Sequence, residues 1–191
     1  MFRKTLAAAF VASLLSTPLA AAPVEYNFDM SHSNLAFSYN HLGFSTTDGR
    51  FKDWQGTLVI DEEEPAKSSV DVTISIGSLD TFWPARDKHL LSGDFFDAAN
   101  FPTATFKSTA VKKTGENELE VMGDLTIKGV SKPTTLYVNV NRIAEHPMAK
   151  KRTVGVTATT TVNRSEFGMG ANVPYVSDEV VITINSEAMV K

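Results

Sequence analysis

The chain has 191 residues, with 18 basic and 22 acidic side chains, a formal charge of −4 at neutral pH and no cysteine. The lack of cysteine excludes disulfides, thiol catalysis and cysteine metal sites together. An acidic chain with no basic stripe is also not built to displace counterions from a nucleic-acid backbone, so nucleic acid is not an expected partner.

Residues 1–22 read as an export signal. "MFRK" supplies a basic head at Arg3 and Lys4, "LAAAFVASLL" an apolar run from Leu6 to Leu15, and "TPLAAA" a small-residue end. The apolar run is about half of what a hydrocarbon core requires, which points to secretion rather than anchoring. Pro23 places cleavage within Ala20 to Ala22, and without a cysteine there is no lipoprotein site. The mature domain then spans 23–191 with a formal charge of −6 once Arg3 and Lys4 are gone. That length buries a core without staples, and the expected compartment is the periplasm.

From Tyr26 onward the chain alternates. "YNFDM", "NLAFSYN" (Leu35, Phe37, Tyr39 on one face) and "WQGTLVID" come first. After the turn "DEEEPAK", the run "SSVDVTISI" sets Val70, Val72, Ile74 and Ile76 against Asp71, Thr73 and Ser75. Period two with one wet face predicts half-buried strands. "RDKHLL" and "DFFDAAN" each predict one or two helical turns. "TATFKST", "LEVMGDLTI" (Leu119, Val121, Leu125, Ile127), "TTLYVNVN" (Leu136, Val138, Val140), "TVGVTATTTV" (Val154, Val156, Ala158, Val162) and "VVITIN" (Val180, Ile182, Ile184) continue the pattern. Threonine and valine enrichment favours strands over helices. "KTGENE" and "AEHPMAKK" supply turn chemistry. Gly43, Gly49, Gly56, Gly93, Gly129 and Gly168 read as bend or bulge positions, since no G-x-G-x-x-G run makes them a phosphate cradle.

Eight or nine antiparallel strands in one all-β domain fit either a sandwich or a closed barrel, because both bury alternate residues. An outer-membrane barrel is disfavoured: Asp71, Thr73, Asn139 and Thr157 would face lipid, or else their Val, Ile and Leu neighbours would line the lumen. Sixteen aromatic residues lie in the mature chain, seven between Tyr26 and Trp54 and six between Phe82 and Phe106. They either fill the interior or hold open and gate an apolar cavity within it.

The polar residues signal less. His32, His41 and His89 are widely spaced and lack metal-ligand spacing, so hydrogen bonding at a rim is expected and no metal. His146 reads as surface. A hydrolase reading would set Ser92 beside His89 and Asp87, or Ser31 or Ser33 as nucleophile with His32 as the base and Asp94 as the acid, but no G-x-S-x-G elbow is present. Asp87 and Asp94 read instead as caps of short helical turns. A non-ligand structural barrel is the other alternative.

"YNFDMSHSNLAFSYNHLGFS", "GRFKDWQG", "SLDTFWPARDKHLLSGDFFDAANFPTATFKS", "GDLTIKGVSKP", "NRSEFGMG" and "VSDEVVITINSEA" together resemble the YceI-like family of secreted polyisoprenoid-binding proteins, over Tyr26 to about Ala188. The resemblance implies an extended, lipocalin-like antiparallel β-barrel of eight strands with one or two short helical segments. It implies a long-chain isoprenoid lipid, of quinone or polyprenyl phosphate type, inside an apolar cavity; no catalysis and no cofactor; and members that are periplasmic and often homodimeric. The motif positions fall on His32, on His41 to Gly43, on Arg86 to Leu90, on Asp94 to Asp97, on Phe101 and Pro102, and on Arg164 with Glu166 to Gly168. Glu166 stands where aspartate is common, and "FWPAR" is an unusual filling. Cavity lining is expected from Phe37, Tyr39, Phe44, Phe51, Leu79, Phe82, Leu90, Phe95, Phe96, Phe101, Phe106 and Phe167. The head group or rim is expected at His32, His41, Arg86, His89 and Arg164.

Overall fold

The structure, a computed structural model, describes residues 22–191; the expected export segment lies outside the described residues except for Ala22. β1 (Val24–His41) turns at Leu42 to Phe44 into β2 (Ser45–Phe51), which breaks at Lys52 and Asp53 and resumes as β3 (Trp54–Ile60). β2 pairs with the second half of β1 and β3 with its first residues, so the two are one stave in two pieces. The next stave is broken in the same way: β4 (Ser69–Ser75) pairs with β3, and the two-residue β5 (Leu79–Asp80) pairs with β2. β6 (Thr103–Lys113), β7 (Glu118–Ile127), β8 (Val130–Glu145), β9 (Arg152–Asn163) and β10 (Glu179–Val190) follow as an antiparallel meander.

β10 then runs along β1 from Tyr26 opposite Val190 to Ser38 opposite Val181, and the ring closes. Eight antiparallel staves thus make a barrel, and the choice that alternation left open is decided by that one pairing. Closure leaves few strand edges to satisfy. The exception is one end of the fifth strand: β4 pairs with β6, but β5 does not. Residues 81–102 occupy the gap as a lid.

The lid begins with α1 (Pro84–Leu90), which carries proline at its first position, where a missing N–H costs nothing. Beyond Leu91 the chain folds back in turns, with Phe96 N–H donating to the Leu90 carbonyl and Phe101 N–H to that of Asp97. The helical turns predicted for "DFFDAAN" are therefore replaced by successive tight turns.

Two local devices keep the apolar side inward. In β1 the register slips between Asp29 and Asn34, so that Tyr26 and Phe28 before the slip and Leu35 and Phe37 after it face the interior despite opposite parity. Gly49 and Gly56, expected at bends, instead sit inside β2 and β3, where a Cβ would lie 2.3 Å from the Phe37 ring and 2.1 Å from the Asp71 carbonyl oxygen. Gly43, Gly129 and Gly168 do serve turns, each with φ near +75°. One end of the barrel is filled by Tyr26, Val154 and Ala188 with Leu58, Ile60 and Ile143 packed around them. Phe28 and Trp54 meet edge to face, 4.9 Å between centroids, just above that plug.

Candidate functional site

Toward the lid the interior is not filled. A cavity of about 620 Å³ opens there, walled by alternate residues of the strands. Leu35, Phe37, Tyr39 and His41 of β1 face it, and Ile184 and Ile182 of β10 stand beside Leu35 and Phe37 in register. Ala104 and Phe106, Leu125 and Ile127, Thr134 and Leu136, and Thr160 and Val162 continue the wall through β6, β7, β8 and β9. Trp83, Arg86, His89, Leu90, Phe95 and Phe96 close one side of the mouth, and the segment from Arg164 to Val176 closes the other. Phe51 and Phe96 pack edge to face at 5.7 Å, joining lid to barrel. Among the described residues lining the cavity there is no Asp, Glu or Lys; the ionisable groups are Arg86, Arg164, His41, His89 and Tyr39.

The lid is pinned by a small network around Thr81, which is fully buried. Thr81 donates its N–H (2.8 Å) and Oγ1–H (2.5 Å) to Asp87 Oδ1. Arg86 donates Nε–H to Thr81 Oγ1 at 2.8 Å and Nη2–H to the Thr81 carbonyl at 2.5 Å. Consecutive residues of α1 thereby clamp the residue that directly follows β5. The Arg86 guanidinium also lies 5.8 Å over the Trp83 ring.

These bonds dispose of the hydrolase arrangement. Asp87 is engaged by Thr81, Ser92 Oγ–H donates to the His89 carbonyl at 2.7 Å, and His89 Nε2 faces Asp94 at 3.8 Å with its ring edge against Phe95. The side chains of Ser92, His89 and Asp87 thus make no hydrogen bond with one another.

Arg164 is the second organiser of the mouth. It is buried at the end of β9, in the 3-10 turn Arg164–Phe167, and donates Nε–H to the Ser177 carbonyl and Nη2–H to that of Val176, both at 2.9 Å. Nη1 donates to the carbonyls of Ala171 and Met169. One guanidinium thus holds the whole rim segment 169–177. Burial pulls its pKa below the ordinary guanidinium value, opposed by the nearby Asp178 charge and Tyr39; the group remains a cation. The Asp178 carboxyl is held below its usual range mainly by the bond from Ser165 Oγ.

The sequence-predicted residues divide clearly. Phe37, Tyr39, Phe51, Leu90, Phe95, Phe96, Phe106 and Phe167 lie on the wall, and His41, Arg86, His89 and Arg164 lie there with them. Phe44 is in the exposed β1–β2 turn; Phe82 is exposed at φ +64°, with Arg50 5.4 Å over its ring; and Phe101 packs over Gly129. Leu79 is buried in β5 but off the wall.

His32 lies apart from the mouth, exposed in the β1 slip with its Nδ1 2.8 Å from Asp29 Oδ2. Asp29, His32 and Glu187 bring their ligand atoms within 4.8 Å of one another, so the three-histidine convergence weighed from sequence is not what forms. Hydrogen bonds from Ser31 and then His32 hold the Asp29 carboxyl down at about 2, and the bond to Asp29, with its charge and that of Glu187, raises His32. The wall residues that aromatic reasoning passed over are the aliphatic ones, above all Leu125, Ile127, Leu136, Val162, Ile182 and Ile184. Strict alternation had already marked them as inward.

Comparison with known proteins gives a consistent result. The family profile described as YceI-like domain matches residues 26–188. The chain is 39% identical over 189 residues to Protein YceI of Salmonella arizonae, covering 98% of both chains, and equally so to Protein YceI of Salmonella heidelberg. Among solved structures, BcnA of Burkholderia cenocepacia superposes with a TM-score of 0.77 at 27% identity, covering 84% of this chain and 99% of that one. The Campylobacter jejuni YCEI protein gives 0.73 at 32% identity, covering 80% and 90%. A polyisoprenoid binding domain from Saccharophagus degradans gives 0.68 at 14% identity, covering 88% and 99%, a likeness of fold.

Proposed function

The chain belongs to the YceI-like family, and from that premise we propose that it sequesters or carries an isoprenoid lipid whose tail fills the barrel cavity and whose head group sits at the lid. The chain is a periplasmic, non-catalytic member. The observation that carries the proposal is the wall itself: mostly aliphatic and aromatic, with hydroxyls such as Thr47, Thr134 and Thr160 among them, no carboxylate or lysine among the described residues, and Arg86, Arg164, His41 and His89 as its charged or titratable polar groups besides the Tyr39 phenol.

Volume sets the size of guest. A carbon of a hydrocarbon chain needs about one water's share of liquid, roughly 30 Å³, so about 620 Å³ takes some 20 carbons, or about four isoprene units. Each buried carbon contributes about 0.8 kcal/mol of gross transfer free energy, of which ordering and the guest's own aggregation in water absorb a large part. A tail of eight units, about 40 carbons, needs about twice that volume at roughly 30 Å³ per carbon, so about half of it would protrude through the mouth. At the mouth two arginines and two histidines stand with no acid on the wall, so a head group that accepts hydrogen bonds, as a quinone carbonyl or a phosphate does, is favoured over an amine. Residues 1–22 are assigned to export, and N-terminal sequencing of the periplasmic protein is expected to begin within the three residues that follow Ala20.

The test is native mass spectrometry of delipidated protein titrated with geranylgeraniol. One bound molecule per chain, retained at low collision energy, is expected; failure of any prenyl alcohol to bind would overturn the proposal.

A further inference from the structure

An apolar guest has almost no free concentration in water, so a cavity that takes one must meet the phase where the guest resides. The described residues include a set of exposed apolar side chains at the mouth. Phe44 is 90% exposed, Tyr175 74%, Phe82 68% and Trp83 60%, with Leu42 and Val173 beside them. They come from three chain segments that border the open end of the barrel. The β1–β2 turn and the 170–176 loop are tied by the Leu42 N–H to the Tyr175 carbonyl, 2.9 Å, and by the bridge between His41 and Val176. The third segment leaves β5 antiparallel to β2, heading back toward that same turn, and places Trp83 on the cavity wall.

Backbone conformation supports a purpose. Leu42 and Phe82 hold φ of +58° and +64°, a region that bulky residues avoid. Outliers of this kind persist where the surrounding structure over-determines them, and they cluster at functional surfaces. Leu42 turns the β1–β2 hairpin at the opening, and Phe82 sets its exposed ring beneath Arg50, next in sequence to Trp83 on the cavity wall.

We propose that this rim is a membrane-docking collar: the mouth inserts its aromatic residues into the headgroup region of a phospholipid bilayer, so that the guest passes between bilayer and cavity without crossing water. The inference rests on the binding function proposed above. Tryptophan, tyrosine and phenylalanine suit this interface because each offers a large apolar ring, the first two with a polar handle as well. A second copy of the chain is the poorer occupant, because a protein face seated on the collar would seal the opening that the guest needs. Beside Phe82 the cations Arg50 and Lys52 both face Asp80, and on the lid His89 faces Asp94, so attraction to the bilayer is chiefly apolar and persists at high salt.

The chain reports on its own docking, since Trp54 is buried in the core and Trp83 is exposed on the collar. Vesicles of phosphatidylethanolamine and phosphatidylglycerol, three to one, are expected to bind the protein and shift Trp83 emission to the blue, in 0.5 M salt as well as without it. The triple variant Phe44→Ser, Phe82→Ser, Tyr175→Ser is expected to bind those vesicles about a hundredfold more weakly, while its uptake of farnesol from solution, followed by native mass spectrometry, stays at the wild-type level. A triple variant that partitions like wild type overturns the collar. So does a wild-type protein that takes up farnesol yet ignores vesicles, which leaves the binding function standing. Loss of farnesol uptake in the wild type overturns the binding function, whatever the vesicles do. Light scattering that shows a wild-type dimer broken to monomers by the triple variant would assign the face to a second copy and also overturn the proposal.

Discussion

Val162 lies on the cavity wall, half-buried because one side of it faces the empty interior. Val162→Phe adds four carbons there, about 120 Å³ at roughly 30 Å³ per carbon, or about one fifth of the cavity. A guest of 20 carbons already uses the whole volume and must withdraw about four of them, which at about 0.8 kcal/mol each costs about 3 kcal/mol, some 200-fold in Kd. A guest of 10 carbons occupies about half of the volume and shifts aside, so less than about threefold is expected. Displacement of a fluorescent apolar dye by geraniol and by geranylgeraniol gives the two affinities, and a thermal melt confirms that the variant is folded. Equal losses for both guests would mean the barrel had been damaged rather than shortened. No loss for the longer guest would mean the tail does not run past Val162.

Other perturbations reach other parts of the structure. Asp87→Ala strands the buried Thr81 N–H and hydroxyl; a loss of about 1–3 kcal/mol in denaturant unfolding is expected, with amide exchange at Thr81 accelerated ahead of the rest of the barrel. Arg164→Ala leaves four backbone carbonyls of the rim without their donor, and proteolysis is expected within 169–177; Arg164→Lys should not restore resistance, because an ammonium cannot reach carbonyls spread around a planar fork. Gly49→Ala forces the Phe37 ring off its site and is expected to cost about 1–3 kcal/mol, measured by thermal unfolding.

The Asp29–His32 pair gives a pH signature. The carboxyl, lowered to about 2, contributes stability that is present above its unfolded value near 3.8 and lost as pH falls toward 2. The imidazole, raised from 6.5, contributes stability that is full below 6.5 and lost as pH rises through its folded value. The contribution is therefore greatest between about pH 4 and 6.5 and small because His32 is solvent-exposed; His32→Ala removes the imidazole part and leaves the carboxyl part that Ser31 supplies. Proton NMR titration of His32 checks the direction; a pKa at or below 6.5 would contradict it.

The strands were legible because alternation is a local property: "SSVDVTISI" and "VVITIN" announce their inward faces without reference to anything else. Closure was legible only through the family resemblance and not through alternation, since it rests on β1 meeting β10 across nearly the whole length of the domain, a pairing no window contains. The slip at Asp29 to Asn34 hides similarly, because "DMSHS" carries no apolar residue to reveal the change of parity except Met30. Aromatic residues misled for a physical reason. A ring serves equally well as wall, plug or exposed collar, and Phe106, Tyr26 and Phe44 take those three places respectively according to which loop or strand carries them. Arg164, expected at a head group, turns out to spend most of its donors on carbonyls of its own rim segment, something visible only once residues 169–177 are seen to wrap around it.

Organic extraction of the protein purified under native conditions from the periplasm, with the extract and the intact complex weighed by mass spectrometry, bears most directly on the greasy cavity being a working lipid site. A prenyl-chain compound carrying an acceptor head group, present at up to one per chain and replaceable by added geranylgeraniol, is the expected finding. Protein that emerges empty and stays empty when prenyl lipids are supplied would contradict it.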